Sequence, residues 1–232
     1  MLKNERYFHI QTKINTKILR IKDDPNRKIP EHEIIKISLI AKYMKTIKAI
    51  SLLDLNGFFE DAKILLRSLF EIAIILLYCD LDSSRYYRYK EYQFITLNNY
   101  LSILDEDDKK KIVENGIKRI EKKVLKFKEK YLNNGFKKNE LYTWNGISFH
   151  NTVNEVIKQY NDDELDTYYN VIYKLNCEFT HSDYNSIINS YLYYDSTFSS
   201  VTINTNPEKD INYVDIVNHV EAITDKLLSY IK

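Results

Sequence analysis

Glycine and proline are scarce in this sequence of 232 residues, which contains 4 Gly and 3 Pro. β-Barrels and sandwiches need many turn residues, whereas helical bundles need few. Leu and Ile also recur at helical spacing over long stretches. We therefore predict an all-α fold, a single helical domain over residues 1–232 built as a bundle of about seven or eight helices. Only a stretch near 190–205, rich in Ser, Tyr and Thr, predicts a small irregular or β element.

Cysteine is rare as well, because Cys79 and Cys177 are the only two. They do not have a metal-binding spacing, and the polar start MLKNERYFHIQTK does not resemble a signal peptide. We therefore expect a cytoplasmic protein with two structural thiols and no disulfide. The longest apolar run, residues 64–78, is too short for a membrane span and contains Arg67 and Glu71. No contact with a membrane is expected.

A strong charge of one sign is also lacking, since the formal net charge is +1. No overall basic field recruits nucleic acid, so an RNA partner would need a local basic patch. The sequence has no P-loop, no G-x-G-x-x-G, no H-E-x-x-H and no nucleophile elbow. We predict no cofactor and no metal. Glu178 and His181 form one E-x-x-H pair, but a di-iron bundle needs a second copy, which the sequence does not contain.

The most apolar stretch, residues 57–80, predicts the central helix of the core. Arg67 and Glu71 interrupt it, and their spacing of four places them on one helix face. Charges inside a core helix must be paired or serve a function. Removing one partner of a buried pair typically destabilises the fold by about 3–5 kcal/mol. A structural ion pair and a functional site both remain open. Seven apolar residues of this helix are predicted to form the core: Leu65, Leu66, Leu69, Phe70, Ile74, Leu76 and Leu77.

Periodic apolar residues and capping signals predict the other helices. Asn56 and Gly57 predict a left-handed cap that ends the helix before the central one. A long loop is expected over residues 133–148, which hold the only Trp. The predicted helices cover residues 4–21, 30–55, 85–104, 107–133, 149–160, 164–181 and 213–231.

His181 ends the predicted helix 164–181. Helical spacing places Glu178, Cys177, Lys174 and Tyr173 one and two turns before it. Such a face suits acid/base chemistry or phosphate binding. The alternative is a histidine that satisfies the last carbonyls of its helix.

Two stretches rich in positive charge allow a nucleic-acid interpretation. Residues 85–92, RYYRYKEY, interleave bases with aromatic rings, a pattern that can stack bases and bind phosphates. More commonly such a stretch is a helix with its tyrosines against the core and its arginines outside. The lysine run from Lys109 to Lys130 contains glutamates and predicts a solvated face.

Several short segments together resemble an uncharacterised bacterial family, domain of unknown function 5677, over roughly residues 35–185. The RSLFE segment together with the downstream His-Ser is fairly specific, whereas each segment alone is not. The resemblance implies that Arg67, Glu71 and His181 are signature positions that meet in space. The segments are Gly57, Ala62, Leu65–Glu71, Tyr86 with Tyr87, Trp144–Gly146, Tyr173 and Thr180–Ser182.

A weaker resemblance is to the HEPN group of helical, metal-independent and usually dimeric ribonucleases. Their motif has an arginine ahead of a histidine, with four to six residues between the two. Here that window holds Lys174, Leu175 and Asn176. In this interpretation Arg67 supplies the cation from another helix.

From these residues we expect a metal-independent ribonuclease or related phosphodiester-cleaving effector of a bacterial toxin or antiviral defence system. His181 would be the general base or acid, and Arg67 would bind phosphate. Glu71 would orient Arg67 or His181, and Tyr173 would support these residues. The substrate-binding candidates are Lys174, Trp144, Arg85 and Tyr86.

The expected partners are RNA, further copies of the chain in a homo-oligomer such as a homodimer, and a defence-system or antitoxin protein. The alternative function is a non-catalytic helical interaction module. In that case Arg67, Glu71 and His181 form a polar network that fixes helix register.

Overall fold

The computed structural model describes residues 2–19, 29–105, 108–109, 114–180, 192–194, 201–203 and 215–231. These residues form eight helices and one strand pair, which confirms the predicted all-α class. The helices are α1 (Lys3–Leu19), α2 (Glu31–Leu55), α3 (Phe59–Asp80), α4 (Ser84–Ile103), α5 (Glu114–Asn133), α6 (Phe149–Tyr160), α7 and α8 (Ile216–Tyr230). Helix α7 comprises Glu164–Tyr168, a π-helical segment Tyr169–Lys174, and Leu175–Thr180. A 3₁₀ turn, Lys138–Tyr142, interrupts the predicted loop.

Two short strands lie within the region where the sequence predicts a β element. Strand β1 (Leu192–Tyr194) pairs antiparallel with β2 (Val201–Ile203), and Tyr193 lies opposite Thr202. None of the described helices is long and apolar enough to cross a membrane.

The chain divides into two compact units, one formed by Met1–Tyr78 with Val153–Lys232 and the other by Cys79–Thr152. We call them the terminal unit and the middle unit and describe each by itself. The single-domain assignment stays a prediction.

In the terminal unit, α1 packs against α2 and α8. A buried carboxylate joins the first two of these helices, because Asp54 accepts hydrogen bonds from Lys3 at 3.1 Å and from the Tyr7 hydroxyl at 2.9 Å. Tyr43 is fully buried and shares a hydrogen bond of 3.0 Å with Thr224 on α8. These bonds satisfy the polar tips of side chains whose bodies fill the core.

Helix α3 is the central apolar helix that the sequence predicts. Gly57 precedes it with a φ of 82°, as expected of a left-handed cap. Six of the seven predicted core residues are buried. The exception is Leu65, which is half-buried and does not belong to the buried core.

In the middle unit, α4 and α5 pack together over a small core that includes Ile95, Val124 and Phe127. Arg88 on α4 is only 5% exposed. The expectation that the arginines of residues 85–92 lie outside is therefore wrong for Arg88. Backbone carbonyls and aromatic ring faces surround its guanidinium in place of water. These contacts offset the cost of burying the charge.

Three carbonyls of the segment after α5 accept hydrogen bonds from Arg88. The donor–acceptor distances are 2.6 Å to the Trp144 oxygen, 3.0 Å to that of Glu140 and 3.4 Å to that of Thr143. The guanidinium also lies over three rings: Phe136 at 3.8 Å, Tyr131 at 4.3 Å and Phe127 at 5.5 Å. One side chain on α4 therefore holds three carbonyls of the loop.

Gly146 closes this loop with a φ of +87°, and a Cβ there would lie 2.8 Å from the Phe136 ring. We expect Gly146→Ala to lower the free energy of unfolding by roughly 2–4 kcal/mol, through backbone strain and overpacking. Gly135 is the matched control, because its φ is +90° but a Cβ would meet nothing within 4 Å. Gly135→Ala should lose only the strain of about 1–2 kcal/mol. Equal losses in urea unfolding would show that the contact with Phe136 contributes nothing.

Candidate functional site

Arg67 and Glu71 form the ion pair that their spacing predicts. The distance from Nη2 of Arg67 to Oε1 of Glu71 is 3.1 Å, and the two side chains are 19% and 31% exposed. They are half-buried, neither sealed in the core nor fully open. In this environment the pair is partly screened by water and contributes modestly to stability.

Helix α7 supplies the other partners of Arg67. Nε donates to Sγ of Cys177 at 3.2 Å, and Nη2 donates to the Tyr173 hydroxyl at 3.0 Å. The guanidinium carbon also lies 4.6 Å from the centre of the Tyr173 ring. We call these four residues, Arg67, Glu71, Tyr173 and Cys177, the arginine cluster.

Matching spacings explain how two helices build this cluster. Arg67 and Glu71 are four residues apart on α3, and Tyr173 and Cys177 are four apart on α7. Residues at this spacing share one helix face. Tyr173 lies within the π-helical segment of α7 and stacks on Tyr169 at 5.3 Å between ring centres. Single π-helical turns inside α-helices occur frequently at functional sites.

Two members of the cluster, Arg67 and Tyr173, have raised pKa values. Burial lowers the pKa of Arg67, but the hydrogen bond with Cys177 and the Glu71 charge outweigh it, so the pKa is raised. Burial and the Glu71 charge raise the pKa of Tyr173, although Arg67 opposes them. Tyr173 is therefore a neutral phenol beside a charged guanidinium, and its hydroxyl can still donate a hydrogen bond.

One nitrogen of the guanidinium is left for a ligand. Nε and Nη2 carry the bonds described above, whereas Nη1 makes no hydrogen bond with any residue in the described part of the chain. Its two N–H groups suit a phosphate or carboxylate oxygen. Chemically the cluster can hold one anionic oxygen against a fixed cation.

Asp162 anchors the helix that carries Tyr173 and Cys177. Oδ1 accepts the backbone N–H of Glu164 at 3.1 Å at the start of α7. Oδ2 accepts from Lys226 at 2.8 Å and from the Tyr230 hydroxyl at 2.8 Å, both on α8. Burial raises the pKa of Asp162, but the hydrogen bonds from Lys226 and Tyr230 outweigh it and lower the pKa below its usual range.

The lowered pKa of Asp162 gives a pH-dependent prediction. The folded protein favours the ionised form of Asp162 more than the unfolded chain does. The ionised carboxylate therefore stabilises the fold above about pH 4, and this stabilisation is lost as the pH falls through the pKa of Asp162 in the folded protein. We expect Asp162→Asn to lower the free energy of unfolding by about 1.5–3 kcal/mol at pH 7. The difference from wild type should shrink below pH 4 in urea titrations. Asp163→Asn, which changes the adjacent exposed carboxylate, is the control, and a pH-independent difference for Asp162→Asn would contradict the assignment.

Comparison with known proteins identifies the family. The model of the Family of unknown function (DUF5677) matches residues 33–199, most of the chain. The chain belongs to the DUF5677 family. No curated protein and no solved structure gives a significant match. The primary resemblance stated from the sequence is confirmed, and the weaker likeness to HEPN ribonucleases has no support.

Two segments that carry the DUF5677 resemblance now have physical roles. The RSLFE segment supplies Arg67 and Glu71 to the arginine cluster. The Trp-x-Gly segment belongs to the loop held by Arg88, in which the Trp144 carbonyl accepts a hydrogen bond and Gly146 takes a positive φ. Another of the segments, Thr180–Ser182, extends beyond the described residues.

The structure brings together three of the four predicted catalytic residues, Arg67, Glu71 and Tyr173. The fourth, His181, lies outside the described residues, and so does the side chain of Glu178. Lys174 is exposed on α7, where it donates to Asn170 at 2.8 Å and lies over the Tyr169 ring, without a contact to Arg67 or Glu71. Within the described residues no group of three or more acidic, His or Cys side chains is arranged to hold a metal.

The other substrate-binding candidates belong to the middle unit. Tyr86 is 1% exposed and donates to Asp80 at 2.7 Å, so its ring is a core element with no open face for a base. Trp144 packs edge-on against Tyr89 at 5.2 Å. Arg85 is half-buried in the first turn of α4.

The sequence interpretation missed two residues, Cys177 and Arg88. The sequence places Cys177 on the face of His181, and its spacing of four from Tyr173 puts these two residues on one side of α7, but no sequence signal links that side to Arg67. No sequence signal marks Arg88 as buried. Residues 85–92 contain two further basic residues, and of these Arg85 is half-buried and Lys90 is exposed. The π-helical turn also has no marker in the sequence.

Proposed function

We propose that the arginine cluster is the phosphate-binding part of a metal-independent ribonuclease or related phosphodiester-cleaving effector, acting in a bacterial toxin or antiviral defence system. The observation that carries the proposal is the half-buried Arg67, which three of the described residues hold while Nη1 has no hydrogen-bond partner among them. A guanidinium fixed in this way is preorganised for a phosphoryl oxygen. The proposal does not depend on the HEPN likeness.

In the proposed reaction the 2′-hydroxyl of RNA attacks the adjacent phosphorus. The 2′-oxygen–phosphorus bond forms, the bond from phosphorus to the 5′-oxygen breaks, and charge develops on the non-bridging oxygens. Arg67 stabilises that charge, and Glu71 and Tyr173 hold Arg67 in place. A base takes the 2′-hydroxyl proton and an acid protonates the leaving 5′-oxygen. The sequence alone suggests His181 for one of these two roles.

The experiment is expression of the wild type, Arg67→Ala and His181→Ala in a bacterial host, with growth and total RNA followed together. We expect growth arrest with cleaved RNA for the wild type, and relief in both variants at equal soluble protein. Arg6→Ala is the matched control, because Arg6 is also a half-buried arginine tied to carboxylates, Asp215 at 3.4 Å and Glu221 at 2.6 Å. Relief in the control would attribute the effect to lost stability instead.

A second candidate function is the helical interaction module. It is favoured by the way Arg67 joins two helices, with bonds to both Tyr173 and Cys177 of α7. In that case the cluster fixes the register of α3 and α7, and a partner protein binds the surface that these two helices form. Intact RNA and unchanged growth, with a protein partner lost in Arg67→Ala, would favour the module.

A further inference from the structure

The charges of this nearly neutral chain are divided unevenly between its two units. Residues 79–152 hold 15 Lys and Arg against 11 Asp and Glu, a formal net charge of +4. The rest of the chain holds 19 against 22, a formal net charge of −3. A local basic region, the requirement for a nucleic-acid partner, is therefore present in the middle unit.

The excess is concentrated on α5. Residues 118–130 contain seven Lys and Arg against two Asp and Glu, and all nine of these side chains are exposed. Lys123, Lys126 and Lys130 recur at spacings of three and four and so lie on one side of the helix. They extend over about 10 Å along its axis.

These three lysines line one side of a cleft between α4 and α5. Its volume is about 330 Å³, and its other lining residues are Glu91, Phe94 and Phe127. Lys123 lies 5.5 Å from the centre of the Phe94 ring. The exposed lysines agree with the solvated face that the sequence predicts, and the cleft adds two aromatic rings to it, Phe94 and Phe127.

The carboxylate in the cleft is already paired. Both oxygens of Glu91 accept from Lys130 at 2.9 Å, and Oε2 also accepts from the Tyr131 hydroxyl at 2.9 Å. Lys126, in contrast, makes no hydrogen bond or ion pair with any residue that the structure describes. Among the described residues, Lys123 contacts only the Phe94 ring. The cleft thus presents two cations beside a partly buried aromatic ring.

We propose that this cleft binds single-stranded nucleic acid, with phosphates on Lys123 and Lys126 and a base against Phe94. Alternation of cations with an aromatic ring is how sequence-tolerant proteins hold single strands. A duplex keeps its bases stacked inside, so a ring in a narrow cleft favours an unpaired base. The cleft is separate from the arginine cluster, and binding there requires no catalysis.

The test is fluorescence anisotropy with the full chain and a labelled 12-nucleotide single strand of 2′-O-methyl RNA. This probe lacks the 2′-hydroxyl, so failure of the proposed cleavage does not affect the result. With two phosphate contacts, the slope of log affinity against log salt should be about −1.4, which weakens binding about sevenfold between 50 and 200 mM salt. We expect Lys123→Gln/Lys126→Gln to bring the slope close to zero and to weaken binding at least tenfold at 50 mM salt.

Matched variants separate the cleft from charge alone. Lys118→Gln/Lys128→Gln removes the same charge from the same helix outside the cleft, and binding should change less than threefold. Phe94→Leu keeps an apolar side chain without the ring and should weaken binding at least about fivefold. No binding by the wild type at 50 mM salt, equal losses in both lysine pairs, or equal affinity for a poly-glutamate peptide would overturn the proposal. The last result would indicate an acidic protein partner.

Discussion

Replacement of Arg88 by methionine is expected to lower the free energy of unfolding by about 3–5 kcal/mol, the largest effect on stability that we predict. Methionine matches the aliphatic stem of arginine, but it leaves the Trp144, Glu140 and Thr143 carbonyls without their donor. A hydrogen bond to a charged group is worth about 1.5–3 kcal/mol, and a buried acceptor left unsatisfied adds a desolvation penalty. The contacts with the Phe136 and Tyr131 rings are weakened at the same time.

The measurement is urea unfolding followed by the fluorescence of Trp144, the only Trp in the chain and a residue of the affected loop. Arg88→Lys should lose most of the same stability, because an ammonium cannot reproduce the planar fork of donors. Arg85→Met, three residues earlier on α4 and half-buried, is the control and should lose about 1 kcal/mol or less. A loss for Arg88→Met no larger than for Arg85→Met would show that the loop holds its shape without Arg88.

Replacement of Arg67 by methionine is expected to reduce phosphodiester cleavage by about 10²–10³-fold, the effect of removing one preorganised stabiliser of developing charge. Stability should change far less, by about 1–2 kcal/mol, because the ion pair with Glu71 is half-exposed. Arg67→Lys should restore little activity, since lysine cannot donate to Cys177, Tyr173 and a phosphate from one plane.

Two partner substitutions refine the role of Arg67. Tyr173→Phe keeps the ring under the guanidinium and removes one hydrogen bond, so its loss of activity should be smaller than that of Arg67→Met. Glu71→Gln keeps the shape and removes the charge that balances Arg67. Rates for all three are to be compared with urea unfolding of the same proteins. Losses of activity that simply follow the losses of stability would favour the interaction module.

The fold was largely predictable, because helical periodicity and scarce turn residues are strong local signals. The start of α2 just after Pro30 and the left-handed Gly57 before α3 were both located by capping rules. Leu65 was misplaced because periodicity identifies a buried side of a helix but does not locate its edge.

The candidate site was predictable in part. The spacing of four residues predicted the ion pair between Arg67 and Glu71, because helix geometry places such residues next to each other on one face. The partners from α7 depend on tertiary packing between segments more than 100 residues apart, for which a single sequence has no local signal. For the same reason Arg88 could not be recognised as buried, because its environment is created by a loop 52–56 residues away.

The central claim is that the arginine cluster acts on phosphodiesters without a metal. The most direct test incubates the purified full chain with single-stranded RNA in excess EDTA and analyses the ends of the products. The account predicts cleavage that leaves 2′,3′-cyclic phosphates and that is lost in Arg67→Met but kept in the folded control Arg6→Met. RNA that stays intact, cleavage that requires a divalent metal, or cleavage that Arg67→Met leaves unchanged would contradict it.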